Sequence, residues 1–245
     1  MNLSSLHGRR IHIAGSIDVD LAIAATVEVE LARDFVRQLV IELMKQGATF
    51  VVPVDAEKQR GEDNLPICFD WLIWETLAGN LPLRPSGAID PLAVAVQHHK
   101  TEEQIPDDKT DLWDRFRGSD QISIDNASHW NMASKRMEIQ AKHGEVLITI
   151  GGSEGVLYLA NLYHQAGKPV IPLNFNVSAS NTGARKLFDQ ALASTQAARF
   201  FSTQGAIKPH AWVNRLNFAA RHKTEDRVES VLKLLKSLVP PTVFA

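Results

Sequence analysis

Cysteine is almost absent: Cys68 is the only one in 245 residues, so no disulfide forms within the chain and a thiolate zinc site lacks its ligands. Long apolar runs are missing too, none approaching the ~20 residues needed to cross a bilayer. Arg9 and Arg10 open onto a short apolar stretch soon broken by Asp18 and Asp20, the wrong pattern for a secretory leader. Nor does one sign of charge dominate. With 26 basic against 28 acidic side chains the net charge is -2, which leaves no positive field to gather nucleic acid. There is no internal repeat and no low-complexity tract. These absences lead us to expect a soluble, cytoplasmic protein with no nucleic-acid or membrane partner, no metal and no cofactor.

What is present points to a folded domain. A hydrophobic share of 44% with 22% charged residues is enough apolar material for a core, and α/β chains of this length commonly form one unit. We expect a single domain over 1–245, with 195–245 as a closing helical segment.

Residues 11–16 read as a first strand ended by Gly15-Ser16. An amphipathic helix follows over Thr26–Gln46, with Val29, Phe35, Val36, Leu39, Val40 and Leu43 near helical spacing, and Gly47 ends it. Thr49–Val54 (TFVVPV) is a second buried strand. This strand, helix, strand order with short connections predicts a right-handed crossover and parallel strands. Leu65–Leu77 reads as helical, Trp71 and Trp74 as core, and 79–87 as loop. Leu92–Gln97 is a third strand, ending in His98 and His99, which a strand would point to opposite faces and so not onto one metal. Thr101–Lys109 reads as a solvated loop, Asp111–Arg117 as a short helix, and little is assigned between Gly118 and Asn131. Ala127–His143 is a helix carrying Lys135, Arg136, Lys142 and His143. Later helices are expected over Gly183–Ala193, with Asn181 or Thr182 as its cap, over His210–Ala219 and over Thr224–Leu238, which Pro240-Pro241 stops.

The stretch that carries chemistry is Glu145–Leu173, EVLITIGGSEGVLYLANLYHQAGKPVIPL. It reads as a buried strand (Val146–Ile150), a turn with Gly151, Gly152 and Gly155, a helix over Val156–Ala166 and a second strand (Val170–Leu173). A strand, glycine turn and helix in that order leave backbone N–H groups at the positive end of a helix dipole, where an anion such as phosphate is held. Glycine at a strand end also serves close packing alone, so the turn gains weight from Gly15-Ser16 and from the basic helix before Val146.

Taken together, Gly15-Ser16, Met132-Ala133-Ser134-Lys135-Arg136 and Gly151-Gly152-Ser153-Glu154-Gly155 resemble the SLOG superfamily. That doubly wound α/β group includes the Lonely Guy (LOG) phosphoribohydrolases and ligand-sensing domains joined to TIR or sirtuin-type NAD hydrolases in bacterial defence. The layout is also similar, more distantly, to that of nucleoside 2-deoxyribosyltransferases. The resemblance spans about residues 9–193. It implies a Rossmann-like fold, a doubly wound and mainly parallel sheet with helices on both faces, and a nucleotide-derived ligand. Met132 falls on the family methionine, and Lys135-Arg136 falls on its Arg-Lys pair.

Two departures shape the expected function. Val156 stands where the LOG pattern has threonine, and Leu159 where it has the glutamate that holds sugar hydroxyls and orients water while an N-glycosidic bond breaks. Leucine does neither. The resemblance therefore implies a sensor or regulatory domain that binds an ADP-ribose derivative or a cyclic nucleotide signal, working as a homo-oligomer or with an effector protein. Its ligand-binding residues would be Gly15, Ser16, Lys135, Arg136, Gly151, Gly152, Ser153, Glu154, Gly155, Asn181 and Thr182, with no catalytic residue. The alternative is an N-glycosidic enzyme, a nucleoside-monophosphate phosphoribohydrolase or a deoxyribosyltransferase, with a relocated carboxylate: Glu154 first, or Asp18, Asp20 or Glu57. Gly152→Asp is expected to block binding and spare the fold.

Overall fold

Aliphatic and β-branched runs bounded by glycine or polar turns become six strands: β1 (Arg10–Ser16), β2 (Thr49–Pro53), β3 (Ala93–Gln97), β4 (Ile122–Asn126), β5 (Val146–Gly151) and β6 (Val170–Leu173). The computed structural model describes residues 4, 6–86, 88, 90–127, 132–193, 197–201, 212–219 and 224–238, without the side chains of His99, Met132, Ala197 and Ala198. All six strands pair in parallel in the order β4-β3-β2-β1-β5-β6. The chain winds outward from β1 to β4, then crosses back to begin again at β5. Between β1 and β5 lies the place where winding reverses, and open α/β sheets bind ligands at that place.

The described helices are α1 (Thr26–Lys45), α2 (Asp70–Gly79), α3 (His99–Glu102), α4 (Asp107–Arg117), α5 (Met132–His143), α6 (Glu154–Gln165), α7 (Gly183–Leu192), α8 (Ala197–Phe200) and α9 (Thr224–Leu238), with short 3₁₀ turns at Leu81–Leu83 and Asn214–Leu216. They cover both faces of the sheet, making the doubly wound, Rossmann-like α/β fold that the sequence predicts. Strand alternation decides which face each side chain joins. Phe50 and Val52 enter the main core with α1 and α2, whereas Val51, Val94 and Val96 meet Ile139 of α5 on the other face. In β1 the same alternation sends Ile11 and Ile13 into the main core and brings His12 and Ala14 to a cleft on the α5–α6 side.

Several boundaries differ from expectation. The helix predicted from Leu65 starts at Asp70; the preceding chain is extended and bridges Ser16 to Cys68 and Gln59 to Pro66. Burial of apolar side chains looks alike in both conformations, which is why Leu65 and Ile67 read as helical. Part of the predicted loop at 101–109 is helical, because α3 and α4 begin at His99 and Asp107. His98 is buried and caps α3, its Nδ1 accepting from Lys100 N at 3.1 Å. β4 has no counterpart in the prediction: it is an edge strand with no fully buried side chain, so its apolar signal is weak. α6 starts two residues earlier than expected, at Glu154. Of the helix expected over His210–Ala219, Trp212 and Val213 are helical and run into the 3₁₀ turn; 210, 211, 128–131 and Pro240-Pro241 lie outside the described residues.

Trp71 and Trp74 are core residues as read. Their indole N–H groups donate to Asp55 O at 2.9 Å and Pro53 O at 3.2 Å, pinning the carboxyl end of β2 to α2.

Candidate functional site

The carboxyl edge of the sheet opens at the β1–β5 reversal into a cleft of about 180 Å³. β1 supplies its floor with His12, Ala14, Gly15 and Ser16; α6 and the residue that precedes it supply Ser153, Gly155, Val156 and Leu159; α5 contributes Met137 and Gln140. On the β2 side the wall is Pro53, Cys68 and Asp70.

The glycine turn is built more tightly than its motif requires for a ligand. Gly151 and Gly152 have φ of +59° and +78°, a region costly for any residue with a Cβ. Gly152 N donates to Ser16 O at 2.7 Å, tying β5 to β1 and spending the amide. A Cβ on Gly152 would stand 2.3 Å from Val156 Cγ2, and one on Gly183 would stand 2.2 Å from the carbonyl oxygens of both Gly151 and Gly152. The start of α7 therefore closes the back of the turn. The expectation that Gly152→Asp spares the fold is corrected on this ground: the substitution forces both a strained φ and a clash. What stays open is the start of α6, where Ser153, Glu154 and Gly155 are exposed and the amides of Glu154 and Gly155 meet no acceptor among the described residues. These donors sit at the positive end of a 12-residue helix. Val156 and Leu159 are buried, so the threonine-to-valine and glutamate-to-leucine departures make this wall apolar.

The expected cations already have protein partners. Lys135 Nζ bonds Glu138 Oε2 at 2.7 Å on the same helix, half exposed. Arg136 pairs with the Asp55 carboxylate, and its Nη1 lies 3.4 Å from Val54 O, so it is aimed at the end of β2 and not at the glycine turn. The side chain of Met132, which falls on the family methionine, is outside the described residues. Asn181 is exposed, and Thr182 precedes α7 without capping it: its Oγ1 donates to Ala179 O at 3.0 Å. Neither lines the cleft.

None of the carboxylates anticipated from the sequence lines the cleft. Asp18 and Asp20 accept from the amides of Asp20 and Ala22 in successive turns. Glu57 lies 3.8 Å from Lys109 Nζ, and Glu154 is exposed outside the cleft. The carboxylate that does line the cleft is Asp70, at the first position of α2. No hydrogen bond reaches it among the described residues. Burial pushes its pKa up to about 7; the Arg136 charge opposes that rise, and Asp55 and Glu57 add to it. The sequence holds a signal for it, one charged residue inside the apolar run Ile67–Trp74. Burial also pushes the neighbouring Cys68 thiol up to about 12, so near neutrality it is not a nucleophile. Among the described residues no group of three or more His, Cys, Asp or Glu is placed to hold a metal ion, and no helix is long and apolar enough to cross a membrane.

A model of the family described as ATP nucleosidase Cap17-like, N-terminal, matches residues 6–235. The chain belongs to this Cap17-like family. No curated protein matches it. Among solved structures, a molybdenum cofactor carrier protein from Chlamydomonas reinhardtii is 13% identical, over 94% of this chain and 99% of that one, with a TM-score of 0.46. A structural-genomics target, TM1055, is 16% identical over 74% and 81%, with a TM-score of 0.39. The Cap17-like match takes in every element of the cleft, from β1 to α6, and ties the protein to nucleotide chemistry.

Proposed function

We propose that this chain hydrolyses the N-glycosidic bond of an adenine nucleotide, releasing the free base, with ATP as the substrate class its family description favours. The enzyme alternative raised from the sequence thereby takes precedence over sensing. One observation carries it: Asp70, a carboxylate with no hydrogen-bonding partner among the described residues, faces the cleft across β1 from the open amides of α6. A triphosphate is a natural occupant of those amides, and the apolar stretch of Val156, Leu159, Met137 and Ala14 is a natural bed for a base.

The step balances without any other reactant. The bond from the base nitrogen to C1′ breaks with its electron pair leaving on the base, and a water oxygen bonds C1′. One water proton passes to Asp70 and the other stays as the new hydroxyl; Asp70 then gives up the proton it took, through solvent, to the base nitrogen, so the base leaves protonated and Asp70 is ionised again. Asp70, pushed up to about 7, is matched to this work, since a base of that pKa is about half ionised at neutrality and still strong enough to take a proton. As a carboxylate it also offsets the positive charge that develops on the ribose.

Incubation with ATP followed by chromatography and mass spectrometry should show adenine and ribose 5-triphosphate appearing together. Phosphate release without free base would end the proposal. The sensing reading rests on Leu159, 3% exposed where a LOG hydrolase has glutamate; binding of a nucleotide with no base released would favour it.

A further inference from the structure

Below the mouth of the cleft are two polar side chains that the proposed chemistry does not use. His12, in the middle of β1, is 1% exposed, and Gln140 of α5 is 6% exposed; both line the cleft. His12 Nδ1 lies 3.1 Å from Tyr163 Oη, and Tyr163 Oη lies 3.3 Å from Gln140 O. The Gln140 carbonyl has no hydrogen to offer, so the chain of two bonds forms only when the tyrosine donates to it. Nδ1–H of His12 then donates to the tyrosine, and Nε2 is left as a bare acceptor. Among the described residues neither Nε2 nor the Gln140 side-chain amide has a protein partner, neither is among the sealed, unsatisfied atoms, and both residues line the cleft. Full burial keeps His12 neutral, its pKa lowered to about 3, which excludes it as the acid that protonates a leaving base.

Building on the nucleosidase reading, we infer that His12 and Gln140 select the base: His12 Nε2 accepts from the exocyclic amino group of adenine, and the Gln140 amide donates to the adjacent ring nitrogen. Four residue steps along β1 lead from His12 to Ser16, roughly 13 Å at 3.3 Å per residue, so a base held at His12 would lie on the order of a nucleoside's length from phosphates at the α6 amides. A six-oxo purine such as hypoxanthine offers an oxygen where His12 needs a hydrogen, setting two lone pairs against each other in a site with little water. Glutamine fits either base by turning its amide; the tyrosine-locked histidine does not.

The test is a titration of ATP and of inosine triphosphate into the full chain carrying Asp70→Asn, which slows turnover, with and without His12→Phe. ATP should bind about 10- to 100-fold tighter than inosine triphosphate, the range expected of a mispaired buried polar contact, and His12→Phe should bring the ratio close to one. Gln140→Leu gives a second reading should His12→Phe fail to fold, as thermal melting would show: it should weaken both nucleotides and leave ATP preferred. Equal affinities without His12→Phe, no binding of either nucleotide, or a ratio unchanged by His12→Phe would overturn the inference. Absence of base release by the unmodified protein, with the preference intact, would sink the hydrolytic reading and leave this one standing.

Discussion

The two walls of the cleft are made in opposite ways. On the β5 side, apart from the Ser153 hydroxyl, the wall is backbone and apolar surface: Gly155, the α6 amides, Val156 and Leu159, behind which Gly151 and Gly152 make the turn. Gly152 N, Ser16 O and the start of α7 lock that wall, so its donors are preorganised and carry no titrating charge. On the β2 side the wall is Pro53, Cys68 and the Asp70 carboxylate, with the Asp55–Arg136 ion pair nearby and Trp71 holding the Asp55 carbonyl. One wall is suited to hold an anion at any pH; the other changes its charge near neutrality. A site that must both grip phosphates and move a proton is served by separating these tasks across β1.

Asp70→Asn breaks the comparison most. Base release should fall by about 10²- to 10⁴-fold, the usual contribution of a placed base, with ATP binding retained. Stability should move the other way. A carboxyl whose pKa rises from 3.8 to about 7 on folding binds more protons folded than unfolded between those values, so its contribution is intact below about pH 4 and is lost as pH rises through 7. The melting temperature of Asp70→Asn should therefore pull ahead of the parent between pH 4 and 7 and keep a constant lead above that. In the parent, base release should climb to a plateau above about pH 7. Activity that survives Asp70→Asn, or a lead that shrinks as pH rises, would remove Asp70 from the mechanism.

Gly155→Asp attacks the other wall. A Cβ here meets nothing nearer than Met137 Cε at 3.9 Å, and a carboxylate in the first turn of a helix is favourable by about 0.3–1 kcal/mol, so the fold should hold or gain. The same charge beside the α6 amides should weaken ATP by roughly 1.5–3 kcal/mol, the scale of a charged hydrogen bond, and leave adenosine within about twofold. Calorimetric titration of both ligands separates the cases. Equal losses for the two would show that phosphate does not sit at α6.

The walls differ equally in how far they are legible in sequence. The glycine turn is a local device: six residues in a row state its strand end, its φ values and its helix start, and the parallel sheet follows from the same local alternation. Asp70 is not local. It reaches the cleft because Ser16 bridges to Cys68 and because the winding order sets β1 between β2 and β5, and no spacing along the chain encodes either. Arg136 shows the same limit. Its register before the glycines is readable, whereas its pairing with Asp55, 81 residues away, depends on α5 crossing over the ends of β2 and β3. β4 escaped notice for a simpler reason, since an edge strand with no fully buried position barely alternates in polarity.

Arg136→Ala is the gentlest change and separates two roles for that cation. If Arg136 acts as the protein now holds it, bonded to Asp55 and opposing the rise of the Asp70 pKa, its loss should shift the acid limb of the pH–rate profile upward and cost little at pH 9, where Asp70 is ionised regardless. The plateau rate should stay within about threefold, because no group in contact with the reacting atoms has gone. If it instead leaves Asp55 to meet the triphosphate, ATP should weaken by about 1.5–3 kcal/mol at every pH, with the limb in place. Arg136→Lys divides these further: a lysine keeps the charge felt by Asp70 and so should restore the limb, yet its single ammonium does not reproduce the forked bond to Asp55 and the Val54 carbonyl.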